Sequence, residues 1–291
     1  MYRTPAGRQH IQQLYDDQLR RLGMAADSRF VSTRYGNAHV LAIGPQDAPP
    51  LVTWHGAQFS GPFHLELFRD LALRHRIYVA DTPGQFGRSD PARLLPFGQA
   101  YGRWAEDVLD GMGIERATMA GVSYGGAILL DLAAWSPARI DKAVLIVPAG
   151  LVVDWPWRLA SRLLVPFLRY RQAPGERTLR EAMDPIGVDL EHHILELYGA
   201  AIEHLRLPSA PPGLFFKRHL VKFTAPVLCF LAEDDCFFPY AKAKAKVARV
   251  FGERARVVTL PGKHFPAKAA RSLLSAEIER FLASSQPDAG V

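Results

Sequence analysis

The sequence holds 291 residues, of which 48% are apolar and 22% charged, with a formal net charge of +6. That balance excludes a disordered chain and supplies enough apolar side chains for one large or two ordinary domains. Lysine and arginine are spread along the chain, and the densest patch, AKAKAKVAR at 241–249, reads as a solvated helix face, so no nucleic-acid partner is expected.

The start, MYRTPAGRQH, has no apolar signal core. The longest apolar run, Ala143 to Val153, is broken by Pro148 and Gly150 and is shorter than the ~18 residues a membrane span needs. No membrane span and a cytoplasmic location are expected. The two cysteines, Cys229 and Cys236, form no disulfide framework and no zinc-type cluster.

In chain order, residues 5–22 carry Ile11, Leu14, Tyr15 and Leu22 at helical spacing, with Gly23 as a stop. Two short strands, 29–34 and 38–43, flank YGN and predict a hairpin. After Pro50 the strand candidates are 51–54, 77–80, 117–120, 143–147, 227–232 and 256–260. They are continuous apolar runs, the pattern of strands buried on both faces of a parallel sheet. Helices at 98–113, 124–135, 239–251 and 266–283 supply the crossovers.

Residues 151–222 break the alternation. They hold no convincing strand, and Ile194, Leu197, Tyr198, Ala201, Ile202 and Leu205 recur at helical spacing. The expected organisation is a core of 1–150 and 223–291, with 151–222 inserted as a helical lid.

The stretch AGVSYGGAILL places Ser123 between Gly121 and Gly125, after a strand and before a helix. A tight strand–turn–helix brings backbones too close for a Cβ at the flanking positions. The Gly-Lys-Ser/Thr run of a phosphate loop is absent, and a dinucleotide loop would need glycine where Ser123 stands. Serine needs a base and an orienting acid to act as a nucleophile. The strand ending at 232 is followed by Glu233, Asp234 and Asp235, and the strand ending at 260 by His264. The order along the chain is Ser, Asp, His.

With these motifs the chain resembles the lid-bearing, carboxylesterase-like serine hydrolases of the α/β-hydrolase fold. Four blocks carry the resemblance: WHG at 54–56, DTPGQFGRS at 81–89, GVSYGG at 121–126, and the Asp and His loops. Together with the connecting pattern of strands and helices they cover roughly residues 29–285. The resemblance implies an α/β fold with a mostly parallel eight-stranded sheet flanked by helices. It also implies Ser123 as nucleophile and His264 as general base.

The family's acid loop runs G-x-x-D-x-x-x-P. Ala232, Asp235 and Pro239 occupy the Gly, Asp and Pro positions, so Asp235 is the expected acid, with Asp234 its rival. A less common layout would use Asp154. The oxyanion hole would come from the backbone N–H groups of Tyr124 and Ala57, with Gln58 close by. Gln58, Trp155, Tyr198 and Phe238 are candidate substrate contacts, and Trp157, Phe167, Phe215 and Phe216 are further aromatics of the inserted segment. The loop DTPGQFGRS carries one residue more than the usual D-x-P-G-x-G-x-S, and an HGGPG peptidase signature is missing.

The expected activity is hydrolysis of a carboxylic ester of a small or medium apolar substrate, by a monomer or homodimer without metal or organic cofactor. The same residues also suit a thioester, lactone, amide or C–C bond, or a non-catalytic ligand receptor. His55 is expected to support the oxyanion loop, Asp81 to fix its own turn, and Cys236 to fill space. His192 and His193 are expected on a solvated face, and His192 with Glu196 does not make a metal site.

Overall fold

The computed structural model describes residues 2–153, 160–206 and 213–284. Eight strands form one sheet: β1 (Ala26–Thr33), β2 (Gly36–Ile43), β3 (Pro50–Trp54), β4 (Arg76–Ala80), β5 (Ala117–Val122), β6 (Ile140–Ile146), β7 (Val227–Asp234) and β8 (Ala255–Lys263). The order across it is β1-β2-β4-β3-β5-β6-β7-β8. β1 and β2 form the expected hairpin, β2 runs antiparallel to β4, and the pairings from β4 to β8 are parallel.

The helices are α1 (Pro5–Arg21), α2 (Gly61–Leu67), α3 (Ala100–Met112), α4 (Tyr124–Trp135), α5 (Val165–Gln172), α6 (Glu176–Met183), α7 (His192–His204), α8 (Tyr240–Phe251) and α9 (Lys268–Ala283). Local chemistry sets several of their ends. The Thr4 hydroxyl accepts the Gly7 N–H at the start of α1, with proline in its first turn. Gly113 closes α3 with a positive φ of 71°, where a Cβ would be strained. Sequence periodicity missed α2, whose seven residues are too few to repeat a pattern. Its Ser60-Gly61-Pro62 start was the available signal.

Alternation along each strand divides the core. In β7, Val227, Cys229 and Leu231 join one cluster with Trp104 and Val108 of α3, Ile128 and Leu132 of α4, and Val247 of α8. Leu228, Phe230 and Ala232 join the other, with Tyr15 of α1, Leu65 of α2, and Leu274 and Ile278 of α9. Each fully buried leucine or isoleucine contributes about 1.5–3 kcal/mol. The run from Tyr124 to Ala133 is buried without a break, which is why that helix is apolar all round.

A third cluster joins the segment between β6 and β7 to the body. It unites Ile11 and Leu14 of α1, Phe59 and Phe63, and Met183, Ile186, Ile194 and Leu197. Phe215 and Leu220, near the end of that segment, return to the first core cluster.

The strand order positions the site. The chain moves outward from β3 to β4, then returns to β5 on the other side of β3. The loops leaving β3 and β5 therefore diverge and open a crevice at their carboxyl ends.

Candidate active site

Ser123 sits at the turn between β5 and α4 with φ 51° and ψ −113°, a backbone state that costs a non-glycine residue about 1–3 kcal/mol. The turn is held from both sides. The Ser123 N–H donates to Ile146 O at 2.9 Å, and Ser123 O accepts the Gly126 and Ala149 N–H groups. The flanking glycines have no room for side chains. A Cβ on Gly121 would lie 2.5 Å from Gly125 O, and one on Gly125 would lie 1.9 Å from Trp54 O.

His264, on the loop after β8, places Nε2 2.9 Å from Ser123 Oγ. Its Nδ1 lies 2.8 Å from Asp235 Oδ2. The other Asp235 oxygen accepts the N–H groups of Phe237 and Phe238, at 2.8 and 3.0 Å. Asp235 and His264 are buried, and the rings of Phe237 and Phe238 pack edge-on against the imidazole. Asp234 is exposed and registers opposite Lys263 at the end of the β7–β8 ladder. The structure thus brings Asp235 to His264 and turns Asp234 away. Asp154 and Trp155 lie outside the described residues, as does Trp157.

Tyr124 is the first residue of α4, where N–H groups point out of the helix end and the helix dipole favours negative charge. Across the crevice, Ala57 lines the cavity, and among the described residues its N–H has no hydrogen-bond partner. Gln58 has φ 54°, and its N–H donates to Gln85 Oε1 at 3.1 Å. Of the two neighbouring N–H groups, Ala57's is the one available to a bound anion.

His55 supports this loop as expected. Its Nδ1 is 2.8 Å from Gly56 O, and its Nε2 accepts the Thr82 N–H at 2.8 Å. Burial holds its pKa below the ordinary histidine value, so the ring is neutral and donates through one nitrogen only. Asp81 does more than fix its own turn. It accepts Tyr15 OH, the Gly61 and Arg88 N–H groups, and His39 Nδ1. Burial pushes its carboxyl up, but the hydrogen bond and charge of His39 outweigh this and hold it below the usual range.

The crevice opens into a cavity of about 350 Å³. Its wall is mainly apolar and aromatic, with Phe59, Phe63, Leu163, Phe167, Tyr198 and Phe238 prominent. Gln58, Tyr198 and Phe238, named from the sequence, all line it, and so does Phe167. Phe215 is packed in the core instead, and Phe216 is exposed. Phe59, Phe63, Phe237 and Phe265 were not anticipated, because nothing in a lone phenylalanine separates a pocket wall from core filling.

One charged cluster borders the cavity. His193 Nε2 is 2.9 Å from Glu66 Oε2, and Arg271 pairs with both Glu66 and Glu191. The expectation of a solvated His193 is therefore wrong: α7 turns it inward onto Glu66 of α2, while His192 and Glu196 do face solvent. Glu66, Glu191 and His193 lie close enough to share an ion, but the Arg271 guanidinium already pairs with both carboxylates. Cys236 is buried beside Asp235, as a space-filling residue would be.

The chain is similar to known proteins in sequence and in fold. The sequence profile described as "Alpha/beta hydrolase family" matches residues 51–275. The chain is 34% identical over 143 residues to the carboxylesterase YbfK of Bacillus subtilis, covering 49% of this chain and 48% of that protein. The chain spans about half the length of the Bacillus carboxylesterases it matches. It is 32% identical over 238 residues to a 2-hydroxy-6-oxononadienedioate/2-hydroxy-6-oxononatrienedioate hydrolase of Pseudomonas sp, covering 74% of this chain and 82% of that one. The solved structure of naproxen esterase from Bacillus subtilis superposes with a TM-score of 0.80 at 23% identity, over 94% of this chain and 97% of that one.

Proposed function

Since the chain belongs to the α/β-hydrolase family, we propose that it is a serine hydrolase cleaving a carboxylic ester of a small or medium apolar substrate. The observation that carries this reading is the unbroken chain from Ser123 Oγ through His264 to Asp235, at 2.9 and 2.8 Å, opening on an apolar cavity. Its similarity to carboxylesterases supports the choice of bond.

His264 Nε2 takes the proton from Ser123 Oγ as that oxygen attacks the ester carbonyl carbon. The carbonyl oxygen becomes an oxyanion and accepts the N–H groups of Ala57 and Tyr124. Asp235 keeps Nδ1 protonated and stabilises the imidazolium. Collapse of the intermediate breaks the C–O bond, and the alkoxide leaves with the proton held on Nε2. Water, deprotonated by His264, then attacks the acyl-enzyme and frees the acid and Ser123.

The segment 151–222 acts as the lid over this site. Leu163, Phe167, Ile186, Ile194 and Tyr198, all from that segment, supply one wall of the cavity. No described helix is long and apolar enough to cross a bilayer.

A second reading is cleavage of a C–C bond beside a ketone by the same residues; the Pseudomonas relative is named as a hydrolase of an oxo-dioate, a dicarboxylate. The wall chemistry favours the ester. Arg271 is the one Lys or Arg among the described residues lining the cavity, and it is already paired with two carboxylates. A dianionic substrate would enter without a cationic partner.

The test is labelling with a fluorophosphonate probe followed by peptide mapping, together with turnover of short p-nitrophenyl esters. Modification of Ser123 and loss of turnover in Ser123→Ala are expected. Labelling at another residue, or equal turnover in the variant, overturns the reading.

A further inference from the structure

We propose that Gln85 is a positioning residue that sets the oxyanion hole, by tying the backbone of the β3 loop to the head of α4. The proposal rests on the serine hydrolase reading above and adds a residue that does not itself line the cavity but holds residues that do.

The sequence Thr82-Pro83-Gly84-Gln85 folds into a tight turn. Thr82 O accepts the Gln85 N–H at 3.1 Å, and Gly84 has φ 74°. Proline and then a positive-φ glycine at the two central positions make a type II turn. Gln85 is its fourth residue, so its side chain starts from a backbone fixed by the two residues before it. The turn itself is anchored to the β3 loop, because the Thr82 N–H donates to His55 Nε2.

From that position the buried Gln85 amide reaches both sides of the crevice. Its Oε1 accepts the Gln58 N–H at 3.1 Å, and the amide also faces the Tyr124 hydroxyl. The Tyr124 hydroxyl in turn meets Tyr101 OH of α3. One side chain thus spans the residue after Ala57 and the residue after Ser123. These are the two backbone strands whose N–H groups would hold the oxyanion.

The span has a reason to exist. Gln58 sits at φ 54°, which disfavours a non-glycine residue. Without a partner for its N–H, the loop gains by relaxing toward negative φ, which would rotate the neighbouring Ala57 N–H. The Gln85 bond opposes that relaxation and satisfies a half-buried donor. Donors help a developing oxyanion only if they are aimed before the charge appears. The residue is supplied by the DTPGQFGRS loop, which is one residue longer than the usual pattern.

The experiment compares Gln85→Leu, Gln85→Asn and Gln85→Glu with wild type on a short p-nitrophenyl ester, with inhibition by a trifluoromethyl ketone as a second readout. The ketone is chosen because its serine adduct carries an oxyanion. Leucine removes the bond to Gln58 and the polar contact with Tyr124, and asparagine is too short to make both. Glutamate keeps an acceptor for Gln58. For Gln85→Leu and Gln85→Asn, kcat should fall about 10- to 100-fold with KM within about threefold, and ketone affinity should fall in step with kcat/KM. Gln85→Glu should recover most of kcat. If Gln85→Leu loses its melting transition, Gln85→Asn decides.

Unchanged kcat in the folded variants, or equal loss in all three, overturns the positioning role while leaving ester turnover by wild type intact. Failure of wild type both to turn over esters and to label at Ser123 removes the serine hydrolase reading, and this proposal with it.

Discussion

Asp235 holds His264 with one carboxylate oxygen and its own loop with the other. Oδ2 lies 2.8 Å from His264 Nδ1, while Oδ1 accepts two backbone N–H groups. The loop therefore orients the carboxylate, and the carboxylate orients the imidazole. Asp235→Asn should lower kcat about 10³–10⁴-fold by favouring the wrong tautomer of His264. Asp234→Asn, on an exposed side chain, should stay within about twofold. Steady-state kinetics of the two variants decide between them, and a larger loss from Asp234 would reverse the assignment.

The turn that mounts Ser123 is built on absent side chains. A Cβ on Gly125 would sit 1.9 Å from Trp54 O, a backbone atom that cannot swing aside. Gly125→Ala should cost roughly 3 kcal/mol. Melting should then come about 6–12 °C lower for a chain of this size. A melting temperature within a degree or two of wild type would contradict the packing described.

Glu66 predicts a pH dependence. Burial pushes its carboxyl up, but the hydrogen bond and charge of His193, with Arg271 and Gln18, outweigh that and hold it below the ordinary value. A carboxyl lowered in the folded state stabilises above its unfolded pKa and loses that contribution as pH falls through the lowered value. Glu66→Gln should therefore lower the melting temperature at pH 7 and much less at pH 3. A gap that widens toward acid would give the opposite sign and rule the account out.

Neither cysteine should behave as a nucleophile. Burial, with the charge of Asp235, pushes the Cys236 thiol up to about 12, and burial alone pushes Cys229 higher. Thiolate is the reactive form. Iodoacetamide at pH 8 should leave the native protein unmodified and active, as read by intact mass. Stoichiometric labelling of native protein with loss of turnover would point to Cys236 instead of Ser123.

Much of this molecule could be read in one dimension because the relevant forces are local. Strands buried on both faces write themselves as continuous apolar runs, and each predicted strand from 51 to 260 appears within a few residues of its expected place. Gly121 and Gly125 marked the sharp turn because only glycine tolerates such approach. The order Ser123, Asp235, His264 was legible because each follows a strand of the same sheet.

The choices left open in the sequence needed side chains from distant segments to meet. One position separates Asp234 from Asp235: Asp234 ends β7 exposed opposite Lys263, while Asp235 opens the following loop, whose turn carries it to His264. Two adjacent histidines on α7 point about 100° apart, but only the packing of α7 against α2 turns His193 onto Glu66 and leaves His192 exposed. The lengthened DTPGQFGRS loop marked the neighbourhood of Gln85 but not its role. Its role exists only where the turn after β4, the loop after β3 and the head of α4 converge, on the two sides of the switch in strand order. The sequence by itself determined the strands, the glycine-flanked serine and its potential partners, since those depend on burial and backbone sterics. Tertiary structure alone decided which acid, which N–H groups and which aromatic rings face the cavity, because those depend on the relative position of loops far apart in the chain.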